Sequence, residues 1–363
     1  MATADGLDNW TVRASGVGQN LSGVAYGNGS YVCVGQAGAM LVSSNGNTWQ
    51  SIASGASTNL LGVTFADGLF LAVGAGGTIL KSTNVLDWSV EISPTTNQLD
   101  SVAYCGGMFV ATGDSGTLLT SVDGDAWTPQ ITGVDRELVA SANGNGTFVA
   151  VGRGSSSPGT VLTSSNTVGW LDRSKVNLGV AFYALVFANG VFVAIDARGI
   201  AYTSTDGISW SRSNTVDSDY VFGLTFARNL FVGVGGPFGG GSQKVVTSPD
   251  GVHWKLRPIS TGYTGTLRAV AYGNGHFVAV GDKGLIVESG PVTTLKLEAV
   301  AGGSASLLLD GETGAEYRIQ ANNEPSGSNW TDVLTFTNHG QIVSFQDAQA
   351  SNAPVRFYRA VAP

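Results

Sequence analysis

Short apolar runs, punctuated by glycine and asparagine, fill the first 290 residues. "LSGVAY" at 21–26, "YVCVG" at 31–35 and "TILKS" at 78–82 are representative. The runs are rich in β-branched and aromatic side chains, and "NG", "DG" or "GG" pairs bound many of them. This pattern predicts short strands joined by tight turns. No stretch reads as a helix.

The pattern repeats. Trp10, Trp49, Trp88, Trp127, Trp170, Trp210 and Trp254 recur about every 40 residues, and only Trp330 falls outside the series. Aligned on tryptophan, the units each hold four short strands, as in "NLLGVTFADGLFLAVGAGGTILKSTNVLDW". Four strands per unit, repeated, is the pattern of a β-propeller blade. The last unit, "TLRAVAYGNGHFVAVGDKGLIVES" at 266–289, stops before its tryptophan, while the chain opens with "DGLDNWTVR" at 5–13. The opening strand is expected to complete the last unit, three strands plus one, leaving no open sheet edge. The expectation is an all-β chain: a seven-bladed β-propeller over 1–290, then a small β-sandwich over 291–363. At the closure, Ser289 and Asp5–Trp10 are expected to form one split turn, with Gly6 in the glycine place and one extra residue before Trp10.

Six units carry S-x-[DN]-x-x-x-W, starting at Ser43, Ser82, Ser121, Ser164, Ser204 and Ser248, and four have Gly after the Asp or Asn. The chemistry is local: the Asx side chain accepts amides of its own turn, Gly takes positive φ, and Ser ties the turn down. A motif shared by six units serves what every unit needs, which is folding rather than calcium or glycan binding. It resembles the Asp-box of sialidase-type (BNR) propellers, a group that includes the photosystem II assembly-factor type. The resemblance implies a propeller with each tryptophan packed between neighbouring blades. It does not imply sialidase activity, because no Arg-Ile-Pro tripeptide occurs. The last 70 or so residues, with "YRIQ", "NWTD", "VSFQD" and "RFYRAV", resemble a C-terminal β-sandwich module of exported verrucomicrobial proteins. Trp330 and Phe357 are its expected core.

Composition narrows the partners. Charged residues make up 12% of the chain against 43% hydrophobic, and the net charge is −8. With 18 Lys+Arg and no basic run, neither nucleic acid nor an anionic membrane is an expected partner. No apolar run approaches the ~18 residues of a membrane span. Cys33 and Cys105 lie in no metal-binding pattern and read as small buried residues. The expectation is a secreted or periplasmic bacterial monomer, with no signal peptide visible at "MATA".

Comparing units with one another locates candidate function without homologues. One column in the first strand is always small: Gly23, Gly62, Ser101, Ala140, Ala184, Gly223, Ala269. The column before it varies: Ser22, Leu61, Asp100, Val139, Tyr183, Phe222, Arg268. The turn after the second strand reaches the same face and brings Gln36, Asp114, Arg153 and Asp282. The fifth unit places Asp196 where the others have Gly, with Arg198 two residues on. Units four and six lengthen this turn, with "GSSSPG" and "GPFGGGSQ". Asp114, Asp196, Asp282 and Tyr183 are therefore the candidate catalytic groups. Gln36, Asp100, Arg153, Arg198 and Arg268 are the candidate ligand-binding groups. Three functions fit: a binder of a glycan or other small ligand at the channel mouth; a hydrolase or lyase at the same place, with calcium as its candidate cofactor; and an assembly scaffold.

Overall fold

The computed structural model describes residues 5–154, 159–174, 181–215, 220–237, 241–257, 259–292, 294–301, 304–310, 316–324, 329–337, 342–347, 350 and 356–361. Both lengthened turns lie partly outside the described residues. Contacts divide the chain into two units, 11–273 with 278–288, and 1–10 with 274–277 and 289–363.

Among the described residues, seven four-stranded and two three-stranded sheets form, antiparallel wherever their register is defined. In the larger unit the first strand of each sheet lies innermost: Leu21–Gly27, Leu60–Ala66, Leu99–Cys105, Glu137–Gly144, Phe182–Ala188, Tyr220–Ala227 and Leu267–Gly273. Each packs against the next, and the last packs against the first. The seventh sheet runs Trp10–Arg13, Ile286–Ser289, His276–Gly281, Leu267–Gly273, so the opening strand is its outer edge.

Apolar side chains on both faces of the middle strands bury between neighbouring sheets. Phe70, Phe109, Phe192, Phe231 and Phe277, on the second strands of five sheets, are fully buried, each a contribution of about 2–3 kcal/mol by transferred area. Cys33 and Cys105 are buried free thiols in the same layers. The tryptophans join sheet to sheet: Trp170 packs with Cys105, Val110 and Leu118 of the third sheet and Leu138, Ala150 and Leu162 of the fourth. A second contact repeats where inner strands end. A Cβ on Gly27 would stand 2.0 Å from the Phe65 ring, and Gly144 and Gly273 face Phe187 and Tyr26 in the same way.

The S-x-[DN] turns behave alike. In the fifth sheet the Gly207 amide donates to Ser204 Oγ at 2.8 Å, and Asp206 Oδ1 accepts the amides of Ile208 and Ser209 at 2.8 and 2.7 Å. Trp210 Nε1 then donates to Gly207 O at 3.0 Å. Asn45, Asn84 and Asn166 fill the same role with the same oxygen. Val85 and Thr167 take the glycine place at φ +75° and +67°. The amides of Asp125 and Ala126 hold the Asp123 carboxyl below its usual range. These carboxylates are occupied by their own backbone.

The seventh turn departs from its expected register. Trp10 Nε1 donates to Leu7 O at 2.9 Å, the same three-residue reach as in the other six. By spacing to the tryptophan, Leu7 stands where the other turns have glycine, though without positive φ, Gly6 stands at the Asp/Asn place, and no extra residue intervenes. Gly6 is required by proximity, since a Cβ there would stand 2.2 Å from Pro291 O. Ser289 still ties its segment down, accepting the Phe277 amide at 2.9 Å.

In the smaller unit, Thr294–Ala301, Ser304–Asp310 and Ile342–Asp347 form one sheet. Glu316–Asn322 is the centre of the other, flanked by Thr331–Thr337 and Phe357–Val361. Leu309, Tyr317 and Ile319 make the core, with Phe336 and Phe345 against it. Trp330 and Phe357 are only half-buried, which corrects the expected core. Trp330 lies 4.4 Å under the Arg359 guanidinium instead.

Candidate functional site at the channel mouth

Six of the seven inner strands carry a described β-bulge at their start. In the first sheet the pairing passes from Leu21↔Gly35 to Gly23↔Val34 and leaves Ser22 unpaired. The same skip leaves Leu61, Asp100, Val139, Tyr183 and Phe222 unpaired. A bulge frees a residue from the ladder and re-aims its side chain. These six residues, with Arg268, line one cavity of about 240 Å³ bounded by all seven inner strands. The next column is small because backbone meets backbone: a Cβ on Gly223 would stand 2.7 Å from Ala269 Cα.

The bulge residues and turn residues form a connected arc. Asp100, Asp114 and Glu137 place carboxylate oxygens within 4.8 Å of one another. Asp100 Oδ1 accepts Gln98 Nε2 at 2.9 Å, and Oδ2 is buried with no hydrogen-bond partner. Burial, reinforced by Glu137 and Asp114, raises the Asp100 pKa to about 7; Gln98 and Arg153 oppose the rise. Arg153 makes a two-pronged ion pair with Glu137, Nε to Oε2 at 2.9 Å, and its guanidinium lies 4.9 Å from the Tyr183 ring centroid. Tyr183 meets Phe222 edge-on at 5.1 Å, and Tyr220 stacks on Phe222 at 5.6 Å. Arg268 lies 6.0 Å from the Phe222 ring and pairs with Asp282 at 2.6 Å. The arc thus runs from an acidic pocket, across an aromatic patch, to a second ion pair. The three clustered carboxylates offer the hard oxygen donors that calcium takes.

Asp100, Asp114, Arg153, Tyr183, Arg268 and Asp282 are brought together as expected from the columns. Three other candidates stand apart. Gln36 is exposed and accepts the Asn20 amide at 3.3 Å. Asp196 is fully buried and accepts the amides of Arg198 and Ile200 at 2.7 and 3.0 Å and the Tyr202 hydroxyl at 3.2 Å. Arg198 reaches back to it at 3.1 Å. The reading of Asp196 as a channel-mouth catalytic carboxylate is therefore corrected: its side chain is buried and shapes its own turn. Gln98, Glu137 and Tyr220 were missed. All three fall in one column, two residues before the bulge, which also holds Asn20, Asn59 and Thr266. Its variability was the available signal.

No protein-family model matches the chain, and no curated protein matches it in sequence. Solved structures do match in shape. YCF48 bound to D1 peptide aligns at TM-score 0.61 and 15% identity over 77% of this chain and 96% of that one. A catalytically inactive virginiamycin B lyase from Staphylococcus aureus, solved with quinupristin, aligns at 0.67 and 7% over 78% and 99%. The WD40 propeller domain of Doa1 aligns at 0.60 and 14% over 78% and 97%. The chain has a β-propeller fold. At these identities the likeness speaks to the propeller scaffold alone, and a scaffold of this kind hosts many chemistries. Among the described residues no helix is long and apolar enough to cross a membrane.

Proposed function

We propose that the protein is a ligand-binding propeller that takes its ligand at the channel mouth. The observation that carries this reading is the convergence of the blade-specific bulge residues on one cavity, with Tyr183, Tyr220 and Phe222 clustered between two arginine–carboxylate pairs. Aromatic faces beside fixed polar groups suit a sugar ring or a peptide side chain. The YCF48 structure holds a peptide and the lyase structure holds quinupristin, which supports ligand binding on this scaffold. The test is a glycan and peptide array with wild type, Tyr183→Ala and Phe222→Ala. Hits that both variants weaken tenfold or more support the reading. Hits equal in all three proteins overturn it.

A second reading is favoured by Asp100. A carboxyl that titrates near neutrality beside two others is suited to general acid–base work. In a hydrolase or lyase, Asp100 would carry the proton, and Tyr183 and Arg153 would orient the substrate; were calcium held by Asp100, Asp114 and Glu137 instead, Asp100 would be an ionised ligand and not the proton carrier. Turnover of chromogenic glycosides or esters that Asp100→Asn abolishes would favour it over simple binding.

For the scaffold, we infer seven complete blades, six with an Asp-box turn, closed three plus one, over 1–290, and a sandwich module over 291–363. Export and a monomeric state complete the proposal. Sedimentation at micromolar concentration tests the last.

A further inference from the structure

The second candidate site lies at the other end of the sheets. Antiparallel order puts the bulges at one end and the S-x-[DN] turns, with the turns between first and second strands, at the opposite end. There a cleft of about 570 Å³ opens between the first and second sheets, floored by Val42 and walled by Trp49 and Leu86. Among the described residues no charged side chain lines it.

Comparison between sheets explains why it is open here. In the third, fourth, sixth and seventh sheets a polar side chain three residues after the tryptophan reaches across to the third strand. Gln130 donates to Thr120, Arg173 to Thr163, Arg257 to Thr247, and Arg13 to Glu288. The first sheet has Ile52 and Val42 at these two places, packed in one apolar cluster. Between the second and third sheets the matching space is crossed by the Lys81–Asp125 ion pair at 2.6 Å. Val42 and Leu86 occupy the aligned positions between the first and second sheets, so no strut crosses.

The rim is polar; Ser43, Thr48 and Asn84 are held in their own turns, but part of it is uncommitted. Asn28, Ser30, Ser44 and Gln50 line the cleft, and among the described residues none has a side-chain hydrogen bond within the protein. The Trp49 indole is fixed by its bond to Gly46 O at 2.8 Å. A fixed aromatic wall, neutral donors and acceptors around it, and the absence of charge match an uncharged polyhydroxylated ring. The volume falls in the range of small-ligand sites. We propose that this cleft is a second binding site, separate from the channel mouth, and that it takes a neutral sugar.

The test uses the full chain and a panel of neutral oligosaccharides of glucose, xylose, mannose and galactose, read by calorimetry and saturation-transfer NMR. Wild type is expected to bind at least one member. Val42→Lys with Leu86→Asp rebuilds the pair seen between the second and third sheets and should abolish that binding. Ser44→Ala with Gln50→Ala, both exposed, should weaken it at least tenfold with no change in melting. Tyr183→Ala should leave it intact. The site is overturned if no member binds, or if binding survives the cleft variants. It is also overturned if Tyr183→Ala removes the binding, an outcome that would place the sugar at the channel mouth and support the first site.

Discussion

Asp100→Asn tests the electrostatics of the channel mouth most directly. The native carboxyl titrates near 7, against a usual value near 3.8, because burial and the neighbouring Glu137 and Asp114 disfavour its charge. Gln98 and Arg153 only partly offset this. The sign follows from proton binding: between pH 4 and 7 the folded state holds a proton that the unfolded state has lost, so stability falls as pH rises through this window. The full shift of about 3 pH units corresponds to about 4 kcal/mol. Asp100 is only partly buried, and solvent screening reduces this to ~2 kcal/mol. In a domain of this size that is roughly 4 °C. Wild type is therefore expected to lose ~2 kcal/mol from this group between pH 4 and pH 8. Asp100→Asn carries no such titration, so it should gain on wild type as pH rises, by that amount at pH 8. The assay is guanidinium unfolding of both proteins from pH 4 to pH 8. A difference between them that does not change with pH would refute the raised pKa and, with it, the acid–base reading of the site.

Three further outcomes follow from packing and hydrogen bonding. Gly27→Ala drives a methyl into the Phe65 ring and should cost about 2 kcal/mol; Phe65→Leu in the same chain should recover much of it, and equal melting of Gly27→Ala and wild type would refute the contact. Asp196→Ala strips partners from two amides and a tyrosine hydroxyl and should cost about 3 kcal/mol, leaving ligand binding at the channel mouth unchanged; lost binding with unchanged melting would return Asp196 to the site. Asp206→Asn keeps the accepting oxygen, as Asn45 and Asn84 do, and should change stability by under ~0.5 kcal/mol, whereas Asp206→Ala should cost ~1 kcal/mol in thermal melts.

The strands were legible because turn chemistry and a tryptophan mark every unit, and each mark has a local physical job. The bulge column was legible for a related reason. It is framed by a column that must stay small, so its own variation between units stands out. Asp196 was misplaced because alignment reports which residue replaces glycine and not where the new Cβ goes. At the glycines of that column a Cβ would stand 1.8–2.2 Å from a carbonyl oxygen, as at Gly152 and Gly35, so the fifth turn had to rebuild around the inserted side chain. Asp196 became its buried anchor. The register of the closing turn shows the same limit. Gly6 follows an Asp, as glycine follows Asp or Asn in four of the six intact boxes, yet the indole bond to Leu7 O assigns the glycine place to leucine. A glycine chosen for a close approach and a glycine chosen for positive φ are the same letter. The distance from Gly6 to Pro291, with Gly6 not at positive φ, separates the two reasons. The blade-specific residues follow the same logic in reverse. Glu137 reads as one more polar residue in a variable column until Arg153 is found on it and Asp100 beside it. What a repeat alignment delivers is the set of positions released from folding; which of them act together is decided by which strands the ring makes neighbours.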